Sequence, residues 1–423
     1  MRGPKTTAVF SVFVAVLLAW TVGLPSGASG RERRKIRRRL SVPAQVGGYG
    51  IPLSGLTADE LAQFQDGQEV FAEVEDASDG LGPTFNNNSC AACHSGPVVG
   101  GGSPITVTRF AKVASGLYTE LPGGSLLQSE AIRPECAETV PGEANVVAHR
   151  QTTALFGFGL IEAIPDREII AYSVGQAAFH PGQAGAVNFL TEPQTTNRRV
   201  GRFGWKAQHA TLVAFSGDAY LNEMGITNRL FPDENAPNGD KAKLAACDAI
   251  PELEDEDNDT DAFASFMRFL APPPQNPALS RQRLSLFSLL QRPTGRPAPS
   301  LTLAAGQGVF ERVGCAVCHY AGYSAVSRSR AIDGQRVEAY SDFLLHDIGT
   351  ADNIVQGNAK GTQFRTAPLW GVATSAPYLH DGSAATLSDA IRRHGNQGAA
   401  AERAFEDLSF TDRDALLAFL AAI

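Results

Sequence analysis

Two segments could do chemistry on residue type and spacing alone: Cys90-Ala91-Ala92-Cys93-His94 and Cys315-Ala316-Val317-Cys318-His319. In a Cys-x-x-Cys-His run the two thiols add across the vinyl groups of a haem as thioethers, and the adjacent His becomes the proximal iron ligand. With 8 His in 423 residues, a Cys-x-x-Cys pair is followed by His by chance roughly 2% of the time, so two coincidences would run near 4 in 10,000. The chain therefore predicts two covalently bound c-type haems. Only 3 Met are available, at Met1, Met224 and Met267, which favours His as the sixth ligand. Of the 6 Cys, Cys136 and Cys247 remain. In an oxidising compartment these two are expected to pair, closing a long loop worth up to about 4–5 kcal/mol on the chain-entropy model; two unrelated buried thiols are the alternative.

The elements that must carry these groups follow from the rest of the chain. Residues 1–30 have the pattern of a secretory signal: Arg2 and Lys5, an apolar run from Ala8 to Trp20, then small residues up to Gly30. An uncleaved membrane anchor is the lesser alternative, because the run is short for a span. Residues 31–45 open with a basic arm, Arg31 to Arg39, read as solvated and able to touch anionic lipid at a membrane surface. Residues 1–39 hold nine basic and one acidic side chains, which leaves 27 basics against 43 acids in the remainder, a net charge of −16. An acidic, exported body excludes nucleic acid as a partner and suits a small basic electron carrier.

Thr57-Ala58-Asp59-Glu60 has capping-box spacing and opens a helical pattern that leads to the first Cys-x-x-Cys-His. Gly67-Gln68-Glu69-Val70-Phe71 is echoed by Gly306-Gln307-Gly308-Val309-Phe310 before the second, so two diverged copies of one module are expected. The first copy carries a long insertion, residues 97–270, where a substrate pocket could be built. Asp255 to Asp261 resembles the start of an EF-hand loop but has Thr260 where Gly is required, so it reads as a solvated acidic loop. A Pro-rich linker, residues 271–299 with a helical segment at 280–290, separates residues 46–270 from residues 300–423. The last helix, after Thr411, is expected to pack on the helix before Cys315.

With Phe364 to Gly371 and Pro377-Tyr378-Leu379-His380-Asp381-Gly382, the paired motifs resemble the bacterial di-haem cytochrome c peroxidase superfamily. Leu155 to Pro165, Glu223 to Asn228 and Leu344 to Gly349 look like the di-haem oxidoreductase family, whose members are described as peroxidases or thiol oxidoreductases. The resemblance covers most of residues 45–423, and the chain has no dithiol motif apart from the haem sites.

The resemblance implies a mainly α fold of two cytochrome c-like domains, the N-terminal one enlarged. It also implies a distal Met fourteen residues after His380, where this sequence has His394. A His319/His394 pair would make the second haem bis-imidazole and lower its potential; a surface His at a helix end is the alternative. The matching distal position of the first haem, sixteen residues beyond His94, is Phe110, which predicts an open or water-bound iron able to take peroxide. His209 and Met224 are rival sixth ligands there. Glu162, in an apolar run, is the first candidate acid–base group because apolar surroundings raise a carboxyl pKa; a helix-capping carboxylate is its competing role. Arg150 and Gln208 are weaker candidates. Trp370 is placed to relay electrons, against a packed indole. A calcium ion between domains is implied by the loop that Ser375 and Pro377 match. The expected activity is periplasmic peroxide reduction at the first haem, with electrons passed through the second from a cytochrome, a cupredoxin or a quinol-linked chain. A non-catalytic electron carrier and a di-haem oxygenase or protein-modifying enzyme are the alternatives.

Overall fold

A computed structural model describes residues 38–43, 45–275 and 299–423. The signal region, most of the basic arm, the segment 280–290 and most of the Pro-rich linker lie outside the described residues.

The helix α1 (Ala58–Phe71) begins as its sequence requires: the Thr57 hydroxyl accepts from the Glu60 N–H, and Glu60 Oε2 accepts from the Thr57 N–H. It buries Phe64, Val70 and Phe71, and α2 (Cys90–Cys93) follows after the short strand β1 (Thr84–Phe85). The insertion then supplies β2 (Ser103–Ala114), β3 (Leu117–Thr119), β4 (Glu130–Ala131) and β5 (Val146–Thr152). Next come α3 (Phe158–Glu162), α4 (Asp166–Phe179), β6 (Phe189–Thr191), β7 (Arg198–Val200), α5 (Leu212–Met224), α6 (Lys241–Cys247) and α7 (Asp259–Phe269). The C-terminal part adds α8 (Pro299–Arg312), four two-residue strands β8 to β11 (Tyr323–Ser324, Arg336–Val337, Leu345–His346, Phe364–Arg365), α9 (Leu387–Arg392), α10 (Ala399–Glu406) and α11 (Phe410–Leu420).

The echo around the two glycines has a packing cause. A Cβ on Gly67 would lie 2.2 Å from the Ala262 carbonyl oxygen, and one on Gly306 would lie 2.1 Å from that of Ala415. Each glycine lets its helix cross another at backbone contact, α1 on α7 and α8 on α11. One turn further along, Phe71 meets Phe266 with ring centres 5.2 Å apart and Phe310 meets Phe419 at 5.4 Å. The same two phenylalanines also reach the motif histidines, Phe71 to His94 at 6.0 Å and Phe310 to His319 at 6.4 Å. The repeated phrase is thus the device that sets a helix pair against each Cys-x-x-Cys-His turn.

Among the described residues the fold is mixed α and β, 34% helix and 16% strand, which corrects the mainly α expectation. Most of the difference lies in the insertion, where β3, β2 and β5 form an antiparallel sheet with Val107 opposite Arg150 and Phe110 opposite Val147. Ile105-Thr106-Val107-Thr108 is rich in β-branched residues that suit a strand. Its pairing partner lies some forty residues on, however, and that distance hides the sheet from local periodicity. The acidic loop is corrected too: Asp255 and Asp259 are buried. Asp255 accepts from the Asp259 N–H at 2.6 Å and the Thr260 hydroxyl at 2.9 Å, fixing the start of α7 rather than facing solvent. Cys136 and Cys247 are joined as a buried disulfide that ties α6 to the turn at Pro134–Cys136.

Two cavities of a candidate di-haem site

The larger cavity, about 430 Å³, is walled by Cys315, Cys318, His319 and His394. His319 Nδ1 lies 3.0 Å from the Tyr340 carbonyl oxygen, and His394 Nδ1 lies 2.8 Å from that of Ala390. Each Nδ1–H donates to its carbonyl, so each Nε2 keeps its lone pair for a metal. The two imidazole centres are 6.4 Å apart. Two metal–nitrogen bonds of about 2 Å each, plus the distance from each nitrogen to its ring centre, span that separation. The residues present therefore fit a bis-imidazole haem.

Beside this cavity His346 Nε2 lies 2.8 Å from Asp342 Oδ2. Burial alone would lower the His346 imidazole, but the Asp342 carboxylate outweighs it and pushes the value up to about 10. Gln176 of α4 donates to both Asp342 and the Val317 carbonyl, at 3.0 and 2.7 Å, so α4 clamps the second Cys-x-x-Cys-His turn. Ser375 and Pro377 lie on the wall of the same cavity. Among the described residues, the clusters of His, Cys and carboxylate side chains are Cys318/Asp342/His346 and Glu73/Glu75/Asp259, and neither includes that loop.

The smaller cavity, about 210 Å³, is walled by Cys90, Cys93 and His94. His94 Nδ1 lies 3.2 Å from the Gly101 carbonyl oxygen, which again leaves Nε2 for iron, and the thiols can reach a haem in the same cavity. Burial pushes the Cys93 thiol up to about 11 and that of Cys315 to about 12, which disfavours thiolate chemistry. The two cavities differ in their far walls. Among the described residues no imidazole faces His94 as His394 faces His319; the ring in contact with His94 is Phe71.

The sequence candidates are placed as follows. Arg150 and Gln208 line the smaller cavity, and Glu162 does not. Glu162 instead accepts from the Leu212 N–H at 2.7 Å and from Arg268 Nε at 2.9 Å, holding the N-terminus of α5 where a carboxylate is favoured. Phe110 is buried in β2 and is not on the cavity wall. Trp370 lines only the larger cavity. His209 and Met224 do line the smaller one.

Sequence reasoning passed over Arg109, Trp205, Asp218 and Glu223, all on that same wall. The Glu223 carboxylate accepts from Asn86 Nδ2 at 2.8 Å, and burial raises its pKa above the usual 4.5. Trp205 lines both cavities and donates its indole N–H to the Gln151 carbonyl at 2.9 Å. Glu223 opens the Glu223 to Asn228 segment that resembles the family, but no local signal distinguishes Arg109, Trp205 or Asp218; the folding of β2, β5 and α5 around one space does.

Arg150 is held by a buried ion network. Its Nε and Nη2 lie 2.8 and 2.6 Å from Asp352 Oδ2, and Lys206 Nζ lies 3.1 Å from Oδ1. Burial lowers Lys206 to about 8 and Arg150 to about 10. Burial would raise Asp352, but the two cations hold it below the usual 3.8. The carboxylate stabilises the fold above pH 3.8, and that contribution is lost as pH falls through its lower folded value. Asp352→Ala strands two buried cations and is expected to cost about 3–5 kcal/mol, read as a lower denaturant midpoint at neutral pH.

The family described as "Di-haem oxidoreductase, putative peroxidase" matches residues 142–423, a span that begins after the first Cys-x-x-Cys-His. No curated protein matches the chain. Among solved structures, hydrazine synthase from Kuenenia stuttgartiensis is 18% identical with a TM-score of 0.38, over 99% of this chain and 100% of that one. A MauG-like protein associated with microbial copper homeostasis is 16% identical with a TM-score of 0.38, over 91% and 95%. The diheme peroxidase BthA from Burkholderia thailandensis E264 is 14% identical with a TM-score of 0.30, over 74% and 94%.

Proposed function

This chain belongs to the di-haem oxidoreductase family, and from that premise we propose that it reduces peroxide in the smaller cavity with electrons received through the larger one. Cys90, Cys93 and His94 would hold one c-type haem, and Cys315, Cys318, His319 and His394 the other. The observation that carries the reading is the inequality of the cavities: one presents two imidazoles face to face at 6.4 Å, whereas in the other no imidazole is in ring contact with His94, and Arg109, His209, Asp218 and Glu223 share its wall.

When bound, the haems would supply redox-active iron, held in the larger cavity by His319 and His394 and in the smaller by His94. The chain's own residues supply the rest. Peroxide cleavage needs a group that takes the proton from one oxygen and returns it to the other. Glu223 is that group: it is on the wall, it is oriented by Asn86, and burial moves its carboxyl toward the range where it can both accept and release a proton. Arg109, on the same wall, offers a cation to the leaving oxygen. Phe71, Phe263 and Met267 form the apolar part that limits water. Trp205, shared by both cavities, is the aromatic placed to carry electrons between them, in the role the sequence had suggested for Trp370.

No helix among the described residues is long and apolar enough to cross a membrane. With the leader read at residues 1–30, the working place is the periplasm and the donor a small redox protein. The test is steady-state consumption of hydrogen peroxide by protein with both haems loaded and a reduced donor, beside the electronic spectrum. Turnover with one high-spin and one low-spin haem supports the reading; no turnover in any redox state overturns it.

A further inference from the structure

Two residues on the wall of the smaller cavity, His209 and Asp218, have no part in the step given to Glu223. His209 Nε2 lies 3.2 Å from Asp218 Oδ2. Both side chains line the cavity, yet they differ in access to water: the His209 side chain is 11% exposed and that of Asp218 34%. Asp218 is thus the more open of the two to water within the cavity that both line. The parts of the pair are fixed by separate elements. Backbone bonds between His209 and Phe203, with Phe203 N–H on the His209 carbonyl at 3.0 Å, anchor the imidazole. Asp218 stands on α5, whose first turn is capped by Thr211, and Asn222 Nδ2 one turn on donates to its other oxygen at 3.0 Å.

We propose that His209 and Asp218 form the proton path of the smaller cavity, resting on the reading of that cavity as the site of peroxide reduction. The balance requires such a path. Reducing one hydrogen peroxide breaks the O–O bond and yields two waters, consuming two electrons from the donor and two protons from solvent. Glu223 moves a proton that peroxide already carries from one oxygen to the other; it brings in none of the two that are consumed. With Nε2–H donated to the Asp218 carboxylate, the His209 imidazole takes a proton from water at Nδ1 and, as an imidazolium paired with Asp218, gives it up to the peroxide oxygens in the cavity, returning to its starting form. Two passages complete a turnover.

The charged groups around the pair suit this. Arg109 of β2 faces Asp218, as do His209 and the Asn222 amide, and Glu223 lies five residues on along α5. Burial would raise the Asp218 carboxyl, but His209 and Arg109 hold it below its usual range, so it stands ionised beside the His209 N–H. The ring packed against His209 is Phe215, at 5.9 Å.

The test compares haem-loaded full-length protein with His209→Gln and Asp218→Asn, reading peroxide turnover and, separately, the rate of cyanide binding against pH. Hydrogen cyanide must lose its proton to bind iron as cyanide, so both reactions need the path. Each variant is expected to slow both by roughly tenfold or more, toward the 10²-fold typical of acid–base groups, with a larger solvent isotope effect and an unchanged spectrum. Added imidazole should restore His209→Gly. Cyanide rates and pH profiles within twofold of wild type would overturn the path, and so would a change from low-spin to high-spin haem in His209→Gln, which would make His209 a ligand. Wild type without peroxide turnover, but with cyanide binding slowed in both variants, would overturn peroxide as substrate and leave the path standing. Wild-type protein that binds no cyanide overturns both.

Discussion

Changing Glu223 to Gln is expected to lower peroxide turnover by roughly 10²–10⁴-fold while both haems stay attached. The amide oxygen can still accept from Asn86, which reaches the carboxylate at 2.8 Å, so the side chain keeps its place and loses only its proton chemistry. The pH profile should change as well. Burial lifts this carboxyl above 4.5, so the acidic limb of kcat/KM belongs above that value in wild type and should vanish in Glu223→Gln. Glu162→Gln is the informative contrast. That carboxylate sits between the Leu212 N–H and Arg268, so its loss should appear as a lower Tm with kcat little changed. Turnover in Glu223→Gln within about threefold of wild type would show that the acid–base group is another residue.

The second large effect is expected at His394. Its ring faces that of His319 at 6.4 Å, with Nδ1 committed to the Ala390 carbonyl. Removing it in His394→Ala should convert the second haem from low-spin to high-spin and open that iron to cyanide. His394→Met should instead keep a six-coordinate haem and raise its potential on the order of 0.1 V, because thioether ligation favours the reduced iron more than imidazole does. A redox titration of the two variants beside wild type measures both. An unchanged low-spin spectrum in His394→Ala would remove His394 from the iron. If His394→Met raises the potential, electrons from a weak donor should load the second haem more fully, and the step from there to the smaller cavity should lose driving force.

How much was legible in the sequence depended on how far apart the cooperating residues lie. The Thr57/Glu60 cap, the Gly67 and Gly306 phrases and the two Cys-x-x-Cys-His turns each act within a few residues, so spacing alone exposes them. The same local rules misled where a tertiary partner decides. Glu162 reads as a carboxyl in an apolar run, but the run folds against α5 and α7, which bring a helix N-terminus and Arg268 to it. Trp370 and Trp205 are equivalent on the page of the sequence; only the packing puts Trp205 on the wall of both cavities. The mainly α expectation failed for a related reason, since β2 and β5 stabilise each other by pairing across a stretch that holds only the short strands β3 and β4 and a turn.

The sequence by itself determined the family, the repeated helix-plus-turn unit and the two Cys-x-x-Cys-His turns proposed to hold haem, because thioether attachment and proximal ligation would need groups adjacent in the chain. The tertiary structure alone decided what stands opposite each proximal histidine. His394 reaches the larger cavity from α9 and its following turn, while Arg109, Trp205, Asp218 and Glu223 reach the smaller one from β2, the loop before α5 and α5 itself. A distal wall is made of side chains that need only meet in space, so no spacing rule marks them, and it is this wall that makes two near-identical attachment motifs unequal.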